Sequence, residues 1–451
     1  SAMQNKYADR VAFRYVEGKD TVVEKTYAQY VQDIRKATGY LQQELGEPKG
    51  KKIVILSRTN YEYGAVVFGT MMAGAVIVTL NQGKTWAELE YELGMVEPDL
   101  IFNDGIDYGY RAQLEALYGA RLRPMDAWTA APEAEMVNRI DHEGLLMLMF
   151  TSGTTGRSKG VMLSEKNFFS VMRAHTQIGE HMMAYKHEPN LVMSQYTVLP
   201  MFHLGAFICL FSWAHAGWAL NVSSDIRNFY KEVKRMPSQA MAVVPVIMNS
   251  LHHDVMRGRK DRLGELWVPI CSSAMFDPQV MLDMATNGMF VVQTYGSTET
   301  CGDGIINYAQ DAKHIGAVGQ GNDYLDYKIA EDGELCMHGD SIMLGYYKDP
   351  EATAAVIDKD GWFHTGDLAR VDEDGYYYIT GRKKNLIILD SGENLSPEEL
   401  EGMLEKCPAV QECIVKELGK KIGVVVYCKK EHQQTVRDFI AQMNRTVPLY
   451  K

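Results

Sequence analysis

Several common signals are missing from this chain, and each absence closes off a class of protein. Seven cysteines occur in 451 residues, at 209, 271, 301, 336, 407, 413 and 428, and none forms a Cys-x-x-Cys pair. That scatter supports neither a zinc site nor a disulfide framework. It reads as reduced thiols, and so as a cytoplasmic enzyme. A basic excess is missing as well. The formal net charge is −12, which argues against a general nucleic-acid binder, since phosphate contacts call for a basic face. No apolar leader opens the chain, which begins Ser1-Ala2-Met3-Gln4-Asn5-Lys6. Low-complexity segments and short internal repeats are absent. One uncharged run, Tyr63 to Leu80, mimics a membrane span. It carries Gly64, Gly69 and Gly74 and ends in Val76-Ile77-Val78. A helix followed by a strand buried on both faces explains it better, so no membrane span is expected.

What is present is ordinary soluble composition, 46% hydrophobic and 23% charged. At this length two or three units are expected. The 26 methionines give weak support for an apolar ligand, and core packing accounts for them more simply. Strand and helix signals alternate. Thr26 to Gly46 reads as an amphipathic helix with Thr26 as N-cap and Gly46 as its end. Strands are expected at 52–56, 75–80 and 99–102, with helices at 61–73 and 85–96. Residues 103–144 give no clear pattern. Further on, helices are expected at 164–181, 207–219, 225–235 and 277–286, with strands at 192–199, 240–244 and 289–293. Such alternation builds parallel sheets covered by helices. From Ile315 the texture changes to short alternating strands with Gly/Asp turns, as in a small antiparallel β unit. Strand, helix (396–406) and strand signals after Gly381-Arg382-Lys383-Lys384 suggest a small α+β domain.

One stretch carries chemistry on its own terms: Thr151-Ser152-Gly153-Thr154-Thr155-Gly156-Arg157-Ser158-Lys159-Gly160. It follows the apolar run Leu145 to Phe150 and precedes Val161-Met162-Leu163 and a helical segment from about Ser164. Glycines let the backbone approach an anion, and hydroxyls with a lysine supply donors for phosphate oxygens. A flexible Ser/Gly surface loop is the plain alternative, disfavoured by the position between a buried strand and a helix. A Walker loop needs Gly-Lys-Ser/Thr, whereas Lys159 is followed by Gly160. Kinase and GTPase readings lose their main support.

Taken together, these motifs resemble the adenylate-forming superfamily of acyl- and aryl-CoA synthetases, luciferases and adenylation domains. The resemblance covers essentially the whole chain. Thr151 to Gly160 is similar to that family's phosphate loop, and Gln293-Thr294-Tyr295-Gly296-Ser297-Thr298-Glu299 to its adenine and magnesium motif. Trp362-Phe363-His364-Thr365-Gly366-Asp367 resembles the ribose motif, Gly381 to Lys384 the hinge, and Leu199-Pro200-Met201-Phe202-His203 the border of the acid pocket. Gly333-Glu334-Leu335 through Gly345-Tyr346-Tyr347-Lys348 matches a further signature. The implied fold is α/β: two parallel-sheet subdomains with a small β-barrel-like unit over 1–381, a hinge at 382–384, and an incomplete α+β lid at 385–451. The implied reaction has two steps. A carboxylate attacks the α-phosphate of ATP, and a thiol, usually that of coenzyme A, then displaces AMP. Positioning and charge neutralisation dominate such chemistry.

The resemblance also implies roles, each with a plainer alternative. Thr151, Ser152, Gly153, Thr154, Thr155 and Lys159 would cradle phosphate. Tyr295 would stack on adenine beside Gly296, although a Tyr after a strand is often core. Thr298 would meet the α-phosphate, and Glu299 would hold Mg2+, a hard cation suited to carboxylate oxygen. Asp367 would accept both ribose hydroxyls rather than cap a turn. Arg382 would reach the nucleotide rather than form a surface salt bridge. Ser272-Ser273-Ala274 stands where the family commonly has Gly-Gly-Ala. Ser273 and Ala274 would still border the adenine, with the backbone approach left open. His203 and Gly205 would border the acid. Amino-acid-activating relatives place an aspartate near here, but no acidic residue falls between Gln195 and Ser224, so an ammonium-bearing substrate is disfavoured. A core histidine is the alternative for His203. Lys384 would be the hinge about which the lid turns. Gly392, Glu393 and Asn394 would enter for thioester formation. Residues 382–451 have a small basic excess on an otherwise acidic chain, which suits the phosphates of coenzyme A but is often incidental.

Val447-Pro448-Leu449-Tyr450-Lys451 resembles the stretch that precedes the family's adenylation lysine, and the sequence ends before that lysine. The expectation is a trimmed chain, poor at forming the adenylate yet able to carry a supplied acyl-adenylate to the thioester. The leading reading is an ATP-, Mg2+- and coenzyme A-dependent ligase of a fatty or aryl acid. Its rivals are a stand-alone adenylation enzyme loading an acyl or amino acid onto a carrier-protein phosphopantetheine, with an acyl carrier protein as its partner, and a non-catalytic nucleotide-binding relative. Acid identity and oligomeric state stay open.

Overall fold

The computed structural model describes residues 2–135, 141–151, 157–272, 274–302, 304–388, 394–418 and 421–444. Two compact units emerge, one of residues 1–325 with 338–357 and one of 326–337 with 358–451. No helix among the described residues is long and apolar enough to cross a membrane. The suspicious run resolves into the helix Tyr61–Met72 and the strand Val76–Thr79.

The larger unit holds two sheets. In the first, Lys52–Leu56 runs parallel to Val76–Thr79 on one side and to Leu100–Asn103 on the other. Met147–Thr151 continues beyond Val76–Thr79, and Leu122–Pro124 beyond Leu100–Asn103, both in parallel. Lys159–Leu163 then folds back antiparallel on Met147–Thr151, and Gly345–Tyr346 pairs antiparallel with Lys159–Leu163. The inner strands are apolar on both faces, as parallel strands covered by helices must be. Val54, Val78, Ile101 and Leu148 are each 0% exposed in one continuous core.

Ser194–Thr197 is central to the second sheet, flanked in parallel by Ala219–Val222 and Ala240–Val243. Val268–Cys271 and Val292–Tyr295 extend it in parallel, and Ile305–Asn307 turns antiparallel. The far edge is the hairpin of Val11–Glu17 and Thr21–Thr26. Six methionines, 236, 241, 248, 281, 284 and 289, are buried in the core on this sheet. Much of the methionine content is thus packing.

The smaller unit places Glu334–Gly339, Phe363–Val371 and Tyr376–Arg382 in an antiparallel array. No barrel closure is seen among the described residues, so the barrel-like unit expected from sequence is an open set of strands. Ile387–Ile388 pairs with Asn394–Leu395, and the helix Pro397–Leu404 packs on the hairpin of Glu412–Leu418 and Lys421–Tyr427.

Most expected elements form within a residue or two of their predicted bounds. The helix Tyr27–Leu45 starts at Thr26 through a reciprocal capping box with Gln29 and ends at Gly46. One expectation fails in a way that bears on the site. The phosphate stretch was placed between a strand and a helix, but Lys159–Leu163 is a strand, so the stretch joins two antiparallel strands. The helix Glu165–Lys186 begins only afterwards, capped by Ser164. Alternation of Lys159, Val161 and Leu163 was overshadowed by the helix signal that follows it.

Candidate active site

The larger unit supplies most of the expected site residues. Thr151 and Lys159 are Cα partners at the loop end of the hairpin. Ser152, Gly153, Thr154 and Thr155 between them lie outside the described residues, as does Ser273. The Lys159 ammonium sits 4.7 Å from the centroid of the Tyr346 ring. The Tyr346 hydroxyl donates to Glu299 Oε1 at 2.9 Å. Burial, with the Glu299 charge beside it, pushes the Tyr346 phenol well above its usual range, so it remains a donor.

Glu299 lies in the short 3-10 turn Thr298–Thr300 that follows the strand Val292–Tyr295. Local bonds make this turn rigid. Ser297 N–H donates to Thr300 Oγ1 at 2.9 Å, Gly302 N–H to the Ser297 carbonyl at 2.9 Å, and Gly304 N–H to the Tyr295 carbonyl at 2.8 Å. The returning chain passes so close that a Cβ on Gly296 would lie 1.5 Å from the Gly302 carbonyl oxygen. Only glycine fits there, which gives the motif's glycine a packing reason. Tyr295, Thr298 and Glu299 are half-buried at the end of the sheet.

A cavity of about 440 Å3 is lined by residues of the second sheet and of helices Glu165–Lys186 and Leu204–Ala216. Gly205, Ser272 and Thr294 line it, and Thr294 immediately precedes Tyr295. Met172, Cys209 and Trp213 are among its apolar walls, and among the described residues no Asp or Glu lines it. His203 is not one of its lining residues. It is the N-cap of Leu204–Ala216 with an exposed face, and its carbonyl accepts from Phe207 N–H at 3.0 Å. Surrounding protein, with the nearby Lys84 charge, holds its imidazole below the usual value. Ala274 is exposed.

Lys84 is a residue that sequence reasoning passed over. It forms an ion pair with Glu92, whose side chain is fully buried, and donates to Ser158 Oγ at 3.2 Å in the phosphate stretch. Nothing local marks it, because the strand that leads to Lys84 and the strand that leads to Ser158 are brought side by side only by sheet pairing. Tyr346 was visible as part of Gly345-Tyr346-Tyr347-Lys348, but its partners Lys159 and Glu299 are distant in sequence.

The smaller unit holds the other expected groups. Asp367 and Arg382 are Cα partners on adjacent strands, and Arg382 Nε lies 2.9 Å from Asp367 Oδ1. Glu334 accepts from His364 Nδ1 and Lys383 Nζ, each at 3.0 Å, and from Gly366 N–H at 2.9 Å. Burial alone would raise the Glu334 carboxyl, but these donors outweigh it and hold the group below its usual value. Lys384 is exposed in the turn Lys383–Asn385. Asn394 opens the strand Asn394–Leu395, while Gly392 and Glu393 lie outside the described residues.

A family model described as AMP-binding enzyme matches residues 2–347. The chain belongs to the AMP-binding enzyme family. It is 26% identical over 507 residues to a long-chain-fatty-acid–CoA ligase of Escherichia coli O157:H7, covering 99% of this chain and 88% of that protein. Over 407 residues it is 29% identical to a feruloyl-CoA synthase of Amycolatopsis sp, covering 86% and 80% respectively. Its fold is similar to that of o-succinylbenzoate coenzyme A synthetase from Bacillus subtilis in complex with AMP. The TM-score is 0.83 at 21% identity, over 100% of this chain and 92% of that one. Membership makes this chain an AMP-forming ligase, the enzyme class its motifs implied. The donor set fits the magnesium ion expected in this family. Glu299 offers a hard carboxylate whose Oε1 is fixed by Tyr346, and Oε2 accepts from no described residue. The Ser297 hydroxyl, two residues before Glu299, is buried with no hydrogen-bond partner among the described residues.

Proposed function

We propose that this AMP-binding enzyme is an ATP-dependent acid–CoA ligase for a fatty or aryl carboxylic acid. The cavity is the observation that carries this reading. It contains Gly205, Ser272 and Thr294, adjoins the strand that ends at Tyr295, and has no carboxylate among the described residues of its wall. A substrate ammonium would enter it without a counter-charge, whereas an apolar or aryl tail gains from burial. The volume lies in the range of small-ligand pockets.

In this reading Tyr295 stacks on the adenine, and Asp367 accepts from the ribose hydroxyls with Arg382 beside it. Thr151, Lys159 and Thr298 donate to phosphate oxygens, and Glu299 holds the Mg2+, which neutralises phosphate charge when bound. An oxygen of the acid's carboxylate forms a bond to the α-phosphorus, and the bond from that phosphorus to the pyrophosphate oxygen breaks. The thiol sulfur of coenzyme A then bonds to the acyl carbon as AMP departs, its proton going to solvent or a base. His203 lies at the head of the helix that borders the acid, and as a mostly neutral imidazole it adds no charge there. Residues 1–381 act as the adenylating body, Lys384 as the hinge, and the loop containing Gly392, Glu393 and Asn394 as the part of the lid that serves the thiol step.

The test uses two assays with fatty, aryl and amino acids: pyrophosphate release with ATP and Mg2+, and thioester formation from a supplied acyl-adenylate with coenzyme A. Thioester products from one class of fatty or aryl acid are expected. Turnover only with an acyl carrier protein in place of coenzyme A, or only with amino acids, would overturn the proposal.

A further inference from the structure

Tyr346 sits between two groups that the proposed function assigns to MgATP, and the surrounding backbone fixes it there. Its residue pair, Gly345–Tyr346, is a strand against Lys159–Leu163, with Tyr346 opposite Val161 and Gly345 opposite Met162. Tyr347 N–H donates to the Gly160 carbonyl at 2.7 Å, immediately after Lys159. Met343 N–H donates to the Glu299 carbonyl at 2.8 Å. Tyr346 N–H donates to Thr353 Oγ1 at 2.8 Å, and Gly345 has φ +132°, where a Cβ would strike Thr353. The side chain is only 7% exposed. One segment is therefore stitched both to the arm of the phosphate hairpin and to the turn bearing Glu299.

We infer that Tyr346 is a positioning residue for MgATP, setting the Glu299 carboxylate with its hydroxyl and the Lys159 ammonium with its ring face. A phenol donating to Oε1 stops the carboxylate from rotating and leaves Oε2 as the oxygen for a cation. The ring face attracts the ammonium without neutralising it, so Lys159 keeps its charge for a phosphate. The hydroxyl and the ring thus have separable duties, one toward the metal and one toward the lysine. The inference rests on the proposed function for the identity of the ligand.

The test measures ATP binding to the full chain by calorimetry across a Mg2+ titration, for the unmodified protein, Tyr346→Phe and Tyr346→Leu, with melting curves as a folding control. In Tyr346→Phe the hydroxyl goes and the ring stays. The Mg2+ concentration for half-maximal ATP affinity should rise about tenfold, as expected for one lost bond to a charged group, while Mg2+-free affinity is unchanged. Tyr346→Leu should also weaken Mg2+-free ATP binding. In a Glu299→Gln background, Tyr346→Phe should shift the Mg2+ dependence no further. A lower melting temperature with an unchanged Mg2+ midpoint in Tyr346→Phe would show a merely structural role and overturn the inference, leaving the ligase reading intact. Failure of the unmodified protein to bind ATP at any Mg2+ concentration would overturn both.

Discussion

Gly296 shows how a single residue can be legible as a motif while its cause stays hidden. The Tyr-Gly-Ser-Thr-Glu pattern could be read directly, but the reason for the glycine is the Gly302 carbonyl, which folds back to 1.5 Å from where a Cβ would be. Backbone cannot yield there, because Gly302 is tied to Ser297 and Thr300. Gly296→Ala should therefore destabilise the protein by about 1–3 kcal/mol and weaken ATP binding. An unchanged urea midpoint would refute this. His203 makes a second residue-scale prediction. Its folded value lies below the ordinary 6.5, so the unfolded chain takes up a proton first as pH falls. Stability from this group is full above the unfolded value and is lost as pH falls through it toward the folded one. Comparing urea unfolding at pH 7.5 and 5.5, His203→Gln should lose less stability than the unmodified protein; equal losses would remove His203 as the cause.

At the scale of elements, the helix starts were the most readable part of the chain. Thr26 and Ser164 announce their helices because a side-chain oxygen followed three residues later by an amide satisfies backbone donors locally. Asn167 does more than its local pattern shows. Beyond closing the box with Ser164, its amide donates at 2.8 Å to both the Asp340 and Ile342 carbonyls. This joins the start of Glu165–Lys186 to the segment that leads into Gly345–Tyr346. Asn167→Ala removes the cap partner and takes a donor from two part-buried carbonyls, and should cost about 2–3 kcal/mol. Thr26→Ala, which loses a cap alone, should cost about 1 kcal/mol. Denaturant unfolding of the two variants checks the ranking, and equal losses would contradict it. Elements missed from sequence, Leu122–Pro124, Ala219–Val222 and Val268–Cys271 among them, are strands of three or four residues. Their period is too short to outvote neighbouring helix or loop signals.

For the molecule as a whole, none of the seven cysteines is in a disulfide, so adding a reductant should leave the unfolding midpoint unchanged; a fall would reveal a disulfide. Ligand binding should act in the opposite way. ATP with Mg2+ at a hundred times its dissociation constant should add about 2.7 kcal/mol, visible as a raised melting temperature. Asp367→Ala should reduce that gain at fixed ATP without abolishing the fold, because the residue sits at a strand position whose backbone pairing with Arg382 does not need its side chain. An undiminished gain would remove Asp367 from the nucleotide contacts.

The sequence alone determined the alternation of strands and helices, the helix caps at Thr26 and Ser164, and the ligase class. All of these depend on residues close along the chain, where periodicity, capping and short-range spacing leave a pattern. Sheet order, the cavity between two helices and a sheet, the ion pair that brings Lys84 to Ser158, and the Tyr346 link from Lys159 to Glu299 were decided only by tertiary structure. Each depends on segments far apart in sequence that hydrogen-bonded pairing and burial bring into register, and neither end of such a contact carries a mark that names the other.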